Sequence, residues 1–379
     1  MGPHPAVAEV RRAVRTTLVA LRAIEQSPPP TGGPPAEARP GDPSRVLVAC
    51  SGGADSLALA AAVAFEAPRA GLRYGLVTVD HGLQAGSDVQ AARVAAIAHE
   101  LGFDPVRAIR VDVGTDGGPE GAARDARYDA LAAAADAWNA PVLLGHTRDD
   151  QAETVLLGLG RGSGPRSIAG MRPLTWTGTG ATQPPGGRGS SAVQGCWLRP
   201  LLGVRRATTE AACAALGLDV WQDPQNLDPA FRRVRLRREV LPLLEEVLGG
   251  GVVEALARTA SLLQDDLDAL DAIAAAVLTG DQQSLVVDSR PQPSVDQGVL
   301  DVSAVAGLPR AIRTRVIRNW AADHGARSLT SDHTAAVDAL ITDWHGQGPV
   351  DLPGGRRASR ASGKLTMTPM TPMTPEHLE

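Results

Sequence analysis

The stretch RVLVACSGGADSLALAAAVAFE, residues 45–66, decides the fold. Its opening, RVLVAC (45–50), is a short apolar run suited to a strand buried on both faces. Its end, DSLALAAAVAFE (55–66), carries apolar residues at helical spacing. Between the two stand Ser51, Gly52, Gly53, Ala54, Asp55 and Ser56. A strand that turns into a helix through paired glycines brings backbone N–H groups and the positive end of the new helix to one point. Such a point can cradle an anion, with Ser51 and Ser56 adding hydroxyls and Asp55 able to hold a divalent cation on bound phosphates. The plainer reading is a glycine turn with a helix cap. A Walker A loop is excluded because no Gly-Lys-Ser/Thr follows, and the G-x-G-x-x-G spacing of a dinucleotide site is missing.

The same alternation continues outward. Strands are expected at 74–80, 106–111 and 141–145, and helices at 87–101, 119–138 and 149–159. Ser87 with Gln90 forms a capping-box signature. Strand–helix repetition of this kind predicts an α/β fold with a doubly wound, mainly parallel sheet covered on both faces. Before it, apolar residues from Val7 to Ile24 recur at helical spacing and predict an amphipathic helix packed on the sheet domain, and residues 27–43 form a Pro/Gly-rich connector. After Trp197 the pattern becomes mainly helical. The expected organisation is a helix and connector over 1–44, a sheet domain over 45–250, a smaller mainly helical domain over 251–362, and a disordered tail over 363–379.

Composition narrows the function classes. Hydrophobic residues make up 43% of the 379, enough for a real core, and the net charge of −5 argues against an evenly basic nucleic-acid binder. Any nucleic-acid contact must then rest on local basic clusters. Three scattered cysteines with no C-x-x-C pair give little support to a disulfide framework, a zinc ribbon or an iron–sulfur cluster. No apolar run has the ~18 residues of a membrane span, and no signal peptide is read, so a cytoplasmic location is expected.

Two further blocks carry candidate chemistry. In Gly145-His146-Thr147-Arg148-Asp149-Asp150-Gln151-Ala152-Glu153-Thr154, the acids cluster where a strand ends and a helix begins. They read either as a solvated acidic N-turn or as ligands for metal and substrate beside the phosphate loop. In Phe231 to Arg238, five arginines, among them Arg233, Arg235 and Arg237, read either as a solvated basic helix or as phosphate contacts.

The S-G-G-x-D-S loop resembles the pyrophosphate loop of the N-type ATP pyrophosphatases. H-x-x-D-D-Q-A-E-T from His146, followed by R-G-S-G from Arg161 and by Gly170-Met171, resembles the tRNA(Ile)-lysidine synthetases. Val79 to Leu83, Glu120 to Tyr128 (E-x-x-A-R-x-x-R-Y), Leu198 to Leu202, Asp223 to Asp228 and Arg233 to Pro242 agree with that family. The sequence departs from it at Gln84, where the family has Arg, and at Val234, where it has Asn. The resemblance implies ATP and Mg²⁺ as cofactors, and an isoleucine tRNA with a CAU anticodon and free lysine as partners. It also implies a reaction in which the wobble cytidine is first adenylated and then takes the lysine amine. It gives Ser51 to Ser56 to ATP, and Asp55, Asp149, Asp150 and Glu153 to catalysis. Of these, Asp55, Asp150 and Glu153 would hold the metal, and Asp149 is the candidate for the lysine ammonium. It gives Arg124, Arg127, Arg161, Arg199, Asn226, Arg233, Arg235 and Arg237 to tRNA or ATP phosphates. A thiolating ligase on the same loop and a catalytically inert RNA-binding module are the alternatives. A homodimer stays open.

Overall fold

A computed structural model describes residues 2–26, 44–82, 86–112, 119–162, 164–176, 195–224, 228–280 and 298–370, and the chain divides into two compact units, Met1–Ser261 and Leu262–Glu379. The connector at 27–43, Gln84, Asn226 and most of the loop at 175–195 lie outside the described residues.

The first unit runs α1 (Pro5–Gln26), β1 (Arg45–Ala49), α2 (Ala54–Glu66), β2 (Arg73–Asp80), α3 (Ser87–Glu100), β3 (Val106–Arg110), α4 (Pro119–Trp138), β4 (Val142–Leu144), α5 (Arg148–Arg161), α6 (Pro165–Ile168), β5 (Leu174–Trp176), β6 (Cys196–Leu198), α7 (Arg206–Ala215), α8 (Arg232–Arg235) and α9 (Leu241–Val247). The six strands form one sheet in the order β3-β2-β1-β4-β6-β5, parallel throughout except for β5 against β6. Successive strand residues face opposite sides, and β1 shows why its run is apolar throughout. Val46 and Val48 enter a core with α1, α2, α3 and α7. Leu47 and Ala49 enter another core with Leu131 and Ala135 of α4. The amphipathic α1 buries Val7, Val10, Val14, Leu18 and Leu21 in the first of these cores, and Arg15 clamps Glu66 through two bonds of 2.9 and 2.8 Å.

The strand order reverses at β1, which lies between β2 and β4. In open α/β sheets such a switch point leaves a crevice beyond the carboxyl ends of the two strands. The loop Ser51–Gly53 leaves β1 there, and Gly145–Thr147 leaves β4 beside it.

Two local expectations are corrected and a third is refined. Ser87 does not build a capping box, because its hydroxyl bonds Asp80 and Gly86, in the left-handed conformation, takes the cap position. The basic helix is helical throughout from Arg232 to Val247 as expected, but its middle, Leu236–Val240, is a π-helical turn rather than α-helix. The boundary expected near residue 250 falls instead between Ser261 and Leu262, within α10 (Val252–Thr279). Val252 and Val253 pack with Ala152 and Leu241, whereas Ala274 and Val277 belong to the second unit's core.

The second unit continues from α10 through β7 (Val299–Asp301), α11 (Val302–Ala306), α12 (Arg310–Asp323), α13 (Ser331–Thr342), β8 (Val350–Leu352), β9 (Arg356–Ala361) and β10 (Lys364–Pro369). Its helices are as expected, and it also holds an antiparallel sheet in the order β7-β10-β9-β8. The disordered tail expected over 363–379 is therefore corrected for residues 363–370, and 371–379 lie outside the described residues. Lys364–Pro369 pairs along its length with β9, and its Leu365 is fully buried. The K-L-T-M-T alternation at its start gives the strand one apolar face, which the repetitive composition concealed.

Candidate nucleotide and carboxylate site

The loop after β1 is knitted by Ser56. Its hydroxyl accepts from the Ser51 amide (3.1 Å), donates to the Gly53 carbonyl (3.0 Å) and lies 3.3 Å from the Ser51 hydroxyl. Gly52 has φ +86°, and a Cβ there would meet Gln90 and, at 2.8 Å, Val94. The position therefore needs glycine for both conformation and space. The Gly52 carbonyl accepts from the Trp221 amide at 3.0 Å, which ties the segment after α7 to the loop. No side chain caps α2, whose N-cap is Gly53, so its first turn presents backbone N–H groups and the helix dipole to an anion. These features fit a phosphate.

Beside the loop, α5 begins with a capping box. Thr147 Oγ1 accepts from the Asp150 amide, and Asp150 Oδ2 accepts from Thr147 N (2.8 Å) and Oγ1 (2.7 Å). The acids of this turn meet the start of α7. Arg206 donates from Nε to Asp55 Oδ2 (3.3 Å), from Nη2 to Asp150 Oδ1 (2.7 Å) and from Nη1 to Glu153 Oε1 (3.3 Å). Its backbone amide donates to Asp149 Oδ2 at 2.8 Å. Asp149 also accepts two bonds of 3.2 Å from Arg205, which in turn reaches Glu254 at 2.6 Å. Glu153, fully buried, takes a second guanidinium from Arg237 at 2.8 Å. Burial pushes the Asp55 carboxyl up to about 6, with the charge of Asp150 adding to it and Arg206 and Thr209 opposing. Burial also works against ionisation of Asp150, yet Arg206 and the Thr147 amide hold its pKa below the ordinary value.

The Asp55, Asp150 and Glu153 set was expected to hold Mg²⁺, and the geometry does not fit an ion. All three carboxylates converge on one guanidinium. Their other contacts are used as well: Asp55 by the Thr209 hydroxyl, Asp150 by Thr147 and Glu153 by Arg237. Among the described residues no three His, Cys, Asp or Glu side chains are arranged to hold a metal.

On another flank lies a group of cations without counter-charges. Burial pushes the pKa of Arg127 and Arg199 down. Among the described residues no carboxylate pairs with Arg127, and Arg199 donates only to neutral groups, Arg172 O (2.9 Å), Thr175 Oγ1 (3.1 Å) and Tyr128. Arg124 lies 5.1 Å above the Tyr128 ring, which meets Trp197 edge-on. His146 is pushed down to about 3 by burial, and its Nδ1, like that of His81 and like Nε of Arg199, is buried without a hydrogen-bond partner. Buried polar atoms left unpaired are costly; the Arg199 Nε–H calls for an anion or an acceptor, and each imidazole Nδ1 for a donor or an acceptor according to its tautomer.

The structure thus brings Asp55, Asp149, Asp150, Glu153, Arg233 and Arg237 together, and gathers Arg124, Arg127 and Arg199 separately around Tyr128. Arg233 approaches Glu153 at 4.0 Å. Arg235 turns to solvent and pairs with Glu239 at 3.0 Å. Arg161 is exposed at the far end of α5, about 12–18 Å along the helix from its acids. Sequence reading missed Arg205, Arg206, Thr209, Glu254 and His81. Arg206 left a signal, because an arginine in the first turn of a helix opposes the dipole and calls for a carboxylate partner.

A phosphate-ready loop at the switch point of a doubly wound sheet defines a nucleotide-binding α/β protein, and the family model for a PP-loop domain matches residues 36–244, more than half of the chain. A second model, for a TilS substrate binding domain, matches residues 300–366. The chain belongs to the tRNA(Ile)-lysidine synthase family. It is 51% identical to the tRNA(Ile)-lysidine synthase of Thermobifida fusca, with 97% of this chain and 99% of the relative covered. It is equally 51% identical to that of Streptomyces coelicolor, with the same shares covered. Over 86% of this chain and 90% of the relative, it is 53% identical to that of Leifsonia xyli. A solved structure of a U34-tRNA thiolase from Methanococcus maripaludis, with its [4Fe-4S] cluster, aligns at TM-score 0.50 and 18% identity over 68% of this chain and 80% of its own. At that identity the likeness concerns the fold alone. Among the described residues no helix is long and apolar enough to cross a membrane.

Proposed function

We propose that this chain joins free lysine to the wobble cytidine of a CAU anticodon in an isoleucine tRNA, at the expense of ATP. In the first step the cytidine carbonyl oxygen attacks the α-phosphorus of ATP and pyrophosphate leaves. In the second the lysine ε-amine, having given up a proton, attacks the ring carbon that carries this oxygen, and AMP leaves with the oxygen. The observation that carries the reading is the juxtaposition of an uncapped, glycine-dependent loop with a converging carboxylate centre at the switch point of the sheet.

The residues divide the work by charge. Backbone groups of Ser51 to Ser56 and the unpaired cations Arg127 and Arg199, with Arg124 beside them, suit phosphates. His146, neutral at every physiological pH, can only donate or accept a single hydrogen bond at each nitrogen there. Asp55 suits proton transfer, since a carboxylate with a pKa near 6 accepts a proton better than an ordinary one. Asp149 is committed to Arg205 and to the start of α7, so it serves to position α7 rather than to receive the lysine. Mg²⁺, if ATP brings it, would be held by the phosphates rather than by Asp55, Asp150 and Glu153, and would supply charge neutralisation there. Exposed Arg235, and the half-buried Arg233 and Arg237, support tRNA phosphates, which makes binding salt-dependent. The reaction is placed in the cytoplasm, where ATP, lysine and tRNA meet.

AMP release from the purified protein tests the reading. The expected result is release that needs ATP, lysine and the isoleucine tRNA together, with lysine incorporated into the tRNA. AMP release that proceeds equally without lysine, or with a sulfur donor in its place, overturns it.

A further inference from the structure

Arg206 stands out because the reaction outlined above has no part for it, yet its side chain bonds three different carboxylates of the site. Its three guanidinium nitrogens face three carboxylates from two separate elements: Asp55 in the first turn of α2, and Asp150 and Glu153 in α5. The distances are 3.3, 2.7 and 3.3 Å. The side chain is 17% exposed, and Glu153 is fully buried. Its own amide donates to Asp149, and the hydroxyl of Thr209, one turn on, lies against Asp55 and the Arg206 carbonyl. Arg206 thus touches both carboxylate-bearing helices, while Arg205 ties the start of α7 to α5 and Thr209 ties it to α2.

Three carboxylates brought this close repel one another and require a central cation. A divalent ion held by three acids is the familiar solution. Here the planar guanidinium supplies the charge, and its fork gives one nitrogen to each acid, a match that a lysine ammonium would not provide. We propose that Arg206 is the resident cation of this centre, a positioning residue standing where a divalent ion would otherwise sit between Asp55, Asp150 and Glu153. Mg²⁺ then enters the site only with nucleotide phosphates, and the nucleotide-free protein holds none on these acids. The inference rests on the proposed function only for the way Mg²⁺ arrives. The arrangement of the acids around Arg206 is independent of which substrate is modified.

Mn²⁺ titration of the full-length protein without nucleotide, followed by electron paramagnetic resonance, tests it. Wild type is expected to show no site that depends on Asp150, so that wild type and Asp150→Asn titrate alike. Arg206→Met keeps the length of the side chain and removes its charge. It is expected to gain one Mn²⁺ site at least ~10-fold tighter than any in wild type, and Arg206→Met with Asp150→Asn is expected to lose it again. The thermal midpoint of Arg206→Met should rise on adding Mn²⁺, while that of wild type should not. A wild-type Mn²⁺ site abolished by Asp150→Asn overturns the proposal, as does a folded Arg206→Met variant that gains no site. Should Arg206→Met not fold in chelator, Arg206→Lys decides together with wild type. It should keep Mn²⁺ out by its charge, and an Asp150-dependent site in either protein overturns the proposal. None of these readings uses turnover, so their failure is distinguishable from failure of the ligase reaction.

Discussion

Replacing Asp55 by Asn should change the pH dependence of stability in a definite direction. Burial raises the Asp55 carboxyl from its ordinary 3.8 to about 6 in the folded chain. For a group whose folded value is raised, the favourable contribution is fully present below the unfolded value and is lost as pH rises through the folded one. Wild type should therefore lose stability from this residue between about pH 4 and pH 6.5 and then level off. A rise from 3.8 to about 6 corresponds to a ceiling of about 3 kcal/mol. The side chain is 24% exposed, and solvent screening reduces the effect to about 1–2 kcal/mol. The carboxamide of the variant does not titrate. Loss of the carboxylate's bonds to Arg206 and Thr209 adds an offset that does not follow this titration. The difference in thermal midpoint, variant minus wild type, should then climb by about 3–6 °C between pH 4 and pH 7.5, read by circular dichroism in nucleotide-free buffer. A difference that stays flat or falls over that range would refute the assignment of a raised carboxyl at the loop. In the same variant, AMP formation should drop at least ~100-fold while ATP still binds, as expected for loss of a proton acceptor.

Three other outcomes follow from named contacts. Glu153→Gln removes a fully buried charge held by Arg206 and Arg237, and should cost about 3 kcal/mol; a thermal midpoint within about 2 °C of wild type, on the scale of about 2–4 °C per kcal/mol, would remove the residue from the network. Arg127→Gln takes away a half-buried cation that no carboxylate balances among the described residues, so the nucleotide-free protein should melt no lower than wild type while calorimetric affinity for pyrophosphate falls about tenfold or more. Arg313→Met breaks a buried pair in the second unit, where Arg313 reaches Asp338 at 2.6 and 3.2 Å and Leu308 O at 2.7 Å; a loss of about 3–5 kcal/mol is expected, and unchanged denaturant midpoints would show the pair to be dispensable.

The sheet was legible because its signals are local. A continuous apolar run such as residues 46–49 suits a strand covered on both faces, and paired glycines between that strand and a helix suit an anion loop. The helix α1 was equally legible from its apolar stripe. The antiparallel sheet of the second unit was not, because β7 has only three residues, β9 is rich in Arg and β10 alternates with Thr, and their apolar face exists only once they pair.

The candidate acids were legible by type and their roles were not. The sequence by itself determined that Asp55, Asp149, Asp150 and Glu153 stand at the ends of two strands, since helix starts and strand ends follow from local pattern. Only the tertiary structure decided which charges they meet. Arg205 and Arg206 lie 50 residues and more along the chain from the acids, and electrostatic partners act through space over a few ångströms. No periodicity encodes that approach. The packing of α7 on α1 and α2, which carries its first turn to the acids of α5, sets it, and with it the choice between a metal ion and a guanidinium at the centre of the site.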